Sequence, residues 1–259
     1  MKIFSMSEAV LMVVRLGSVA TLSLMAARLM AASAQAAALV PSDLDQLDLG
    51  AKIVGPVGPE VETTFINAAG EGIGDLVSSV SCPFGFDSCL PPENPAGTTY
   101  TYIHVVTPGI DLPNDPPFPA PDTVLPLDDA EVFRLAFPAT GFNGVAGYSF
   151  SEAEAALGSE HAPTVEKTKD GGLVWRIPTL ADWSSGERIT FFWQTSQNPS
   201  GPGGTYGLAG EDATGDEQSG TAAGPLPMLF RTSRVPEPSA IAPLLLLGAG
   251  LLSLGTLRR

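Results

Sequence analysis

The sequence predicts a mainly β protein, in which an antiparallel β-sandwich body with long Pro/Gly-rich loops lies between an N-terminal signal helix and a C-terminal transmembrane helix. Three observations predict this arrangement. Short runs of β-branched and aromatic residues recur between the ends of the chain, and clusters of Gly, Pro and Asp separate them. Only one short stretch of that body carries helix start and stop signals. Apolar stretches with few charges occupy both ends of the chain.

The predicted strands are short segments in which β-branched and aromatic residues are enriched. In the strongest of them, 188–195, alternation places Ile189, Phe191 and Trp193 on one face, as in the core of a sandwich. The predicted strands, in chain order, are 61–66, 76–80, 100–106, 132–137, 145–150, 173–177, 188–195 and 228–232.

The segments between these strands contain one helix, one turn and two long loops. Ser151 and Glu154 form a capping-box pattern that predicts a helix of one or two turns ending at Gly158. A hairpin turn is predicted within 165–172. Seven prolines within 107–126 predict an extended loop, and the Gly-, Ser- and acid-rich segment 197–227 is interpreted as a second loop with a flexible centre.

The N-terminus has the pattern of a secretory signal peptide. Lys2 and Arg15 give a positive start, and an apolar run over 16–32 follows. The small residues Ala32 and Ala34 then provide a cleavage site, with Ala34 and Ala36 as a second option. We therefore assign 1–34 to a signal peptide and 35–234 to the exported body, the alternative being an uncleaved N-terminal membrane helix.

The C-terminus has the pattern of a single membrane span. No charged residue occurs from 239 to 257, and Arg258 and Arg259 end the sequence. A helix over 240–257 is just long enough to cross the hydrocarbon core, and the positive-inside rule places the two arginines in the cytoplasm. The preceding body is therefore expected outside.

A short motif stands before this span. Pro236 and Pro238 hold the backbone extended, because each ring fixes φ and disfavours helix in the preceding residue. Glu237 presents a carboxylate between them. The order Pro-Glu-Pro, apolar span and Arg-Arg, over 235–259, resembles the PEP-CTERM sorting signal.

The resemblance implies a Gram-negative bacterium that makes extracellular polysaccharide. It implies that the Sec machinery and signal peptidase export the protein to an inner-membrane intermediate. An exosortase, a membrane cysteine transpeptidase, then recognises Pro236, Glu237 and Pro238, with Arg258 and Arg259 ending the signal, and removes the tail. The body would reach the cell surface or the medium, and these five residues would belong to a processing substrate rather than to a catalytic site.

Charge narrows the range of partners. The chain carries a net charge of −15. Only one acidic residue but five basic residues lie outside 35–238, so this part holds 27 acidic and 8 basic residues, a charge of −19. Nucleic acid is not expected as a partner, because binding phosphates requires clustered Lys and Arg.

The two cysteines and two histidines offer little for catalysis or metal binding. Cys82 and Cys89 are expected to form a disulfide, because an exported protein meets an oxidising environment. His104 lies in a predicted strand and His161 in a loop, and no nucleophile motif accompanies either of them.

Two further candidate sites follow from the sequence. No cofactor is expected, although acidic loops could bind Ca²⁺ weakly; these are Asp43, Asp45 and Asp48, and separately Glu211, Asp212, Asp216 and Glu217. Trp175 and Trp193 lie in apolar strands, whereas Trp183 follows Asp182 in a polar stretch. Trp183 is therefore the candidate for an exposed sugar-stacking platform.

These patterns favour a non-enzymatic protein of the cell surface or the extracellular-polysaccharide matrix. The alternative is a carbohydrate-binding or carbohydrate-active module that carries the same sorting tail.

Overall fold

The computed structural model describes residues 36–53, 60–91 and 93–228, which contain thirteen strands, one α-helix and one short 3-10 helix. The strands are β1 (Ala37–Leu39), β2 (Ser42–Asp43), β3 (Leu49–Lys52), β4 (Val61–Asn67), β5 (Gly72–Pro83), β6 (Tyr100–Pro108), β7 (Leu127–Leu135), β8 (Phe142–Tyr148), β9 (Thr164–Lys167), β10 (Leu173–Arg176), β11 (Ile189–Thr195), β12 (Pro199–Asp212) and β13 (Glu217–Pro227). The 3-10 helix is Leu44–Gln46, and helix α1 is Phe150–Leu157.

All thirteen strands belong to one sheet. Twelve follow the order β1-β9-β10-β7-β12-β13-β4-β5-β6-β11-β8-β2, and β3 pairs with the end of β5. The pairs between named strands are antiparallel except β2 with β8. The mainly β prediction is confirmed, but the prediction of two stacked sheets is wrong, because a single mixed sheet curls into a half-barrel.

Contacts across the interior show the curl. Phe133 on β7 stacks on Phe191 of β11 with ring centroids 4.9 Å apart, although six steps of strand order separate the two strands. The Trp175 indole on β10 donates a hydrogen bond of 2.9 Å to the Gly147 carbonyl on β8. The two halves of one sheet therefore face each other and enclose a common core of aromatic side chains, as the two layers of a sandwich would.

The N-terminal segment joins the two ends of this sheet. β1, at one end of the strand order, pairs with β9, and β2, at the other end, pairs with β8. Only Val40 and Pro41 separate β1 from β2, and a fully extended chain covers at most about 10 Å in three residues. The ends of the curled sheet must therefore lie close together, and residues 37–43 bridge them.

Most predicted strands are confirmed. The predictions 61–66, 100–106, 173–177 and 188–195 correspond to β4, β6, β10 and β11, and 76–80 is the centre of β5. Strands β7 and β8 each begin several residues before the predicted segment. The predicted turn within 165–172 joins β9 to β10, and the proline-rich segment forms the loop between β6 and β7. The predicted strand 228–232 lies almost wholly outside the described residues.

The prediction of a flexible loop within 197–227 is wrong. This segment forms β12 and β13, a long antiparallel hairpin in the middle of the sheet. Glycine weakens isolated strands, but here its lack of a side chain permits close packing. A Cβ at Gly224 would come within 2.6 Å of the Tyr206 ring, and one at Gly204 within 2.9 Å of the Phe137 ring. Tertiary packing therefore selects a composition that local propensity disfavours.

Helix α1 starts two residues earlier than predicted. The N-cap is Ser149, whose hydroxyl accepts a hydrogen bond of 3.2 Å from the Glu152 amide, and the helix ends at Gly158 as predicted. The Glu152 carboxylate accepts from the Thr190 amide of β11. Glu152, in the first turn of the helix, therefore also anchors the helix to the sheet.

The predicted signal helix (1–34) and transmembrane helix (240–257) lie outside the described residues. Within the described ranges, no helix is both long and apolar enough to cross a membrane.

The joint between β2 and β8 is testable through Gly147. A Cβ at this position would collide with the Ser42 backbone, so Gly147→Ala is expected to lower the free energy of unfolding by about 1–3 kcal/mol. Urea denaturation of the protein measures the change. Gly201→Ala is the control, because a Cβ there meets nothing within 4 Å; equal stability of the two variants would contradict the tight joint.

Candidate functional site

Trp183 does not form an exposed platform. Its side chain is 0% exposed, and its indole N–H donates a hydrogen bond of 2.8 Å to the Glu187 carbonyl. The ring meets Phe191 edge-on at 5.7 Å. The prediction of a sugar-stacking Trp183 is therefore wrong, because the polar stretch around it folds over the core. Trp175 and Trp193 are buried, as predicted.

His104 forms a buried polar group with Ser78 and Trp193. The Trp193 indole donates to Nε2 of His104 at 3.3 Å, and Ser78 Oγ lies 2.9 Å from Nδ1. Burial lowers the pKa of His104 to about 3, so the ring is neutral at pH 7. A neutral ring that accepts at Nε2 carries its proton on Nδ1 and donates it to Ser78. A catalytic pair needs the opposite polarity, with histidine accepting from serine.

The predicted disulfide between Cys82 and Cys89 is present, with Cα atoms 5.6 Å apart. Both cysteines are buried. The Asn94 amide donates a hydrogen bond to Cys82 Sγ at 3.2 Å and another to the Tyr100 hydroxyl at 3.2 Å. The Tyr100 hydroxyl donates in turn to Asn198 just before β12. The disulfide loop is therefore anchored to β6 and to the start of the long hairpin.

The first predicted acidic cluster caps helix α1. Asp45 accepts hydrogen bonds from the Ser151 amide at 3.0 Å and the Ser149 hydroxyl at 2.7 Å. Asp43 accepts from the Phe150 amide at 3.3 Å. The hydrogen bond from the Ser151 amide is the main cause of a lowered pKa of Asp45. Both carboxylates thus bind the helix N-terminus, where negative charge is favourable.

The second predicted acidic cluster closes the turn between β12 and β13. Asp212 accepts from the Thr214 hydroxyl and amide and from the Asp216 amide. These bonds, the Thr214 hydroxyl first, lower the pKa of Asp212 to about 2. Glu211 and Glu217 lie opposite each other on the two strands. Among the described residues, no group of three or more His, Cys, Asp or Glu side chains is arranged to hold a metal ion.

A third acidic cluster was not predicted from the sequence. Asp111 and Asp115, from the proline-rich loop, meet Glu62 on β4 and Asp75 on β5. The Leu112 amide donates to Asp75 Oδ1 at 3.2 Å, and the Glu62 amide donates to Asp115 Oδ2 at 3.1 Å. Burial, assisted by the charges of Glu62 and Asp111, raises the pKa of Asp75 to about 6. Burial and the neighbouring acids, led by Asp115, also raise the pKa of Glu62.

A groove of about 680 Å³ runs over the outer face of the sheet. It crosses β10, β7, β12 and β13 and continues onto the turn between β9 and β10. Arg134 and Arg176 line it, with Asp170 as its acidic lining residue. Four of the six Lys and Arg residues in the described part of the chain lie on β7, β9, β10 or the β9–β10 turn. This region therefore concentrates the scarce positive charge of an acidic protein.

Strand register explains how the groove forms. Val174 lies opposite Arg134, and Arg176 lies opposite Val132, so all four share the outer face. The next positions along the sheet, on β12 and β13, hold small residues: Gly207, Ala209, Ser219 and Thr221. Long side chains on one side and short ones on the other leave a shallow channel.

The two arginines differ in their surroundings. Arg176 lies 3.5 Å from a carboxylate oxygen of Glu166. Within the part of the chain that the structure describes, Arg134 forms no ion pair and no side-chain hydrogen bond. Its side chain lies over Gly207, where a Cβ would come within 2.8 Å of Nε. The missing side chain of Gly207 therefore allows Arg134 to lie along the sheet.

The sorting residues Pro236, Glu237, Pro238, Arg258 and Arg259 lie outside the described residues. Comparison of the chain with protein-family models, curated proteins and solved structures finds no match.

The buried carboxyl of Asp75 predicts a pH dependence. A pKa raised on folding favours the protonated form, so its contribution to stability is full below about pH 4 and is lost as the pH rises through about 6. Asp75→Asn keeps the acceptor for Leu112 and is expected to raise the free energy of unfolding at pH 7 by on the order of 2 kcal/mol.

Thermal denaturation at pH 4, 5, 6 and 7 measures this effect. The advantage of the variant should shrink towards pH 4, and Asp87→Asn, which removes an exposed carboxyl, is the control. A variant that is less stable than the wild type at pH 7 would contradict the burial of an ionised Asp75.

Loss of the disulfide should destabilise the protein. Cys82→Ala/Cys89→Ala is expected to lower the free energy of unfolding by about 2–3 kcal/mol, because the open loop gains entropy in the unfolded chain. Chemical denaturation with and without reductant measures it. Reductant should lower the stability of the wild type towards that of the variant and leave the variant unchanged. A variant as stable as the oxidised wild type would refute this role.

Proposed function

We propose that this chain is an exported, non-enzymatic protein that a C-terminal sorting signal directs to exosortase processing. Its destination is the cell surface or the extracellular-polysaccharide matrix of a Gram-negative bacterium. One observation carries the proposal: Pro236-Glu237-Pro238, the apolar stretch 240–257 and Arg258-Arg259 follow one another in the order of the PEP-CTERM signal.

The limits of the sheet are compatible with this processing. The first strand begins at Ala37, so cleavage after Ala34 or Ala36 would leave every strand intact. The last strand within the described residues, β13, ends at Pro227, before the Pro-Glu-Pro motif. Removal of both ends would therefore leave the thirteen-stranded sheet whole.

The disulfide and the charge also support export. The cytoplasm keeps thiols reduced, whereas the periplasm and the cell surface allow the Cys82–Cys89 bond to persist. A net charge of −19 over 35–238 favours solubility once the apolar ends are removed.

The alternative of a carbohydrate module requires a different surface from the one the sequence suggested. Trp183 is part of the core, and the buried His104 donates to Ser78 instead of activating it. Sugar binding would have to use an exposed face of the sheet.

Mass spectrometry of the C-terminus tests the sorting proposal in the cells that make the protein. The processed protein should lack the peptide that contains Leu244–Leu247. Glu237→Ala should retain this peptide, because it removes the carboxylate that the two prolines present.

Glu217→Ala is the matched control, since it removes one carboxylate from the exposed β12–β13 turn. It should be processed like the wild type. A wild-type protein that keeps the Leu244–Leu247 peptide would exclude the sorting proposal, and so would identical processing of all three proteins.

A further inference from the structure

The outer-face groove has the properties of a binding site for a polymer with repeated negative charges. We propose that Arg134 and Arg176 bind an acidic polysaccharide, whose carboxylate or sulfate groups pair with the two guanidinium groups. This binding does not require the sorting tail, so it can be tested separately from processing.

The chemistry of the ligand follows from Arg134. A guanidinium carries five donors in a planar fork that matches carboxylate and sulfate oxygens. Arg134 is exposed and finds no acidic partner among the described residues. In a chain with 28 acidic residues, a groove arginine left without a carboxylate is complementary to an anion from outside.

The extent of the groove favours a polymer over a single ion. The two arginines occupy diagonal positions on neighbouring strands, whose side chains start about 7–8 Å apart. Two successive charged units of a polymer could pair with one guanidinium each, and the groove crosses four strands, which is longer than a single carboxylate or sulfate. Arg176 already lies beside Glu166, so Arg134 should contribute more.

The floor of the groove favours sugar over nucleic acid. Ala209 leaves the floor beside the arginines flat, and Ser219 supplies a hydroxyl that can donate and accept hydrogen bonds. Val132 and Val174 offer small apolar surfaces beside the arginines. No aromatic ring lies on this floor to stack on a nucleobase, as binding of single-stranded nucleic acid requires; the groove-lining Phe137 lies beyond its end and packs against Tyr206 and Trp193 in the core.

Two substitutions separate charge from geometry. Arg134→Gln removes the guanidinium, whereas Gly207→Val keeps every charge and displaces the Arg134 side chain from its place along the sheet. Arg188→Gln is the matched control, because it removes the same group from an exposed side chain that is paired with Glu152, beside α1 and outside the groove. Circular dichroism and thermal denaturation establish that all three variants remain folded.

The test measures binding of the full chain, in mild detergent, to immobilised polygalacturonate and dextran sulfate. Neutral dextran and single-stranded DNA serve as comparisons. The wild type should bind at least one of the two acidic polysaccharides in preference to both comparisons, and the one it prefers identifies the charged group. Arg134→Gln and Gly207→Val should raise the dissociation constant about tenfold, which corresponds to loss of a charge-assisted hydrogen-bonded pair.

Arg188→Gln should bind like the wild type. Equal binding of wild type and Arg134→Gln would overturn the proposal, and so would binding of dextran as tightly as of the acidic chains. Binding of DNA at equal affinity would also overturn it, because a general contact with polyanions would then account for the result.

Discussion

The fold depends on the N-terminal segment that bridges the two ends of one curled sheet. A sheet that ends in β9 on one side and β8 on the other would expose two rows of unpaired backbone groups, which invite pairing with other chains. Residues 37–43 pair with parts of both, since β1 pairs with β9 and β2 with the last two residues of β8. Asp43 and Asp45, directly after this bridge, then bind the N-terminus of α1, so the same segment also fixes the helix.

The curled sheet uses its aromatic residues internally. Phe133 lies at the centre, in contact with rings from β4, β6, β10, β11 and β12. His104 and all three tryptophans are part of this core. Residue types that often mark sites for sugars or catalysis therefore pack in the core here. Arginine and hydroxyl side chains, which can bind a ligand, point to the outer face of the same strands.

The sequence predicts strands well where side chains determine them. β6 and β11 are dense in β-branched and aromatic residues and lie nearly where they were expected. β12 and β13 were missed, because their glycines favour a strand only where they pack against the Tyr206 and Phe137 rings. The join of β1 to β2 across the sheet could not be predicted, since it depends on partners far away in the chain. Trp183 shows the same limit, because its polar neighbours suggested exposure while its ring fills the core.

The sequence contains a repeated pattern at the candidate groove, but strand prediction alone does not show that its two copies lie together. Val132-Phe133-Arg134 and Val174-Trp175-Arg176 share one pattern, with an inward aromatic residue between an outward valine and an outward arginine. Only the register of β10 on β7 places the two patterns side by side. The sequence of one strand does not specify which strand it pairs with, so the groove could not be predicted from either pattern alone.

The bridge formed by residues 37–43 also determines when the fold can be completed. A chain is synthesised from its N-terminus, so this segment appears first, while its partners Gly147 and Lys167 follow more than a hundred residues later. Contacts between such distant residues slow folding. We therefore expect the earliest residues of the body to pair late in folding, and the strand edges of β8 and β9 to stay open to pairing with neighbouring molecules until they do.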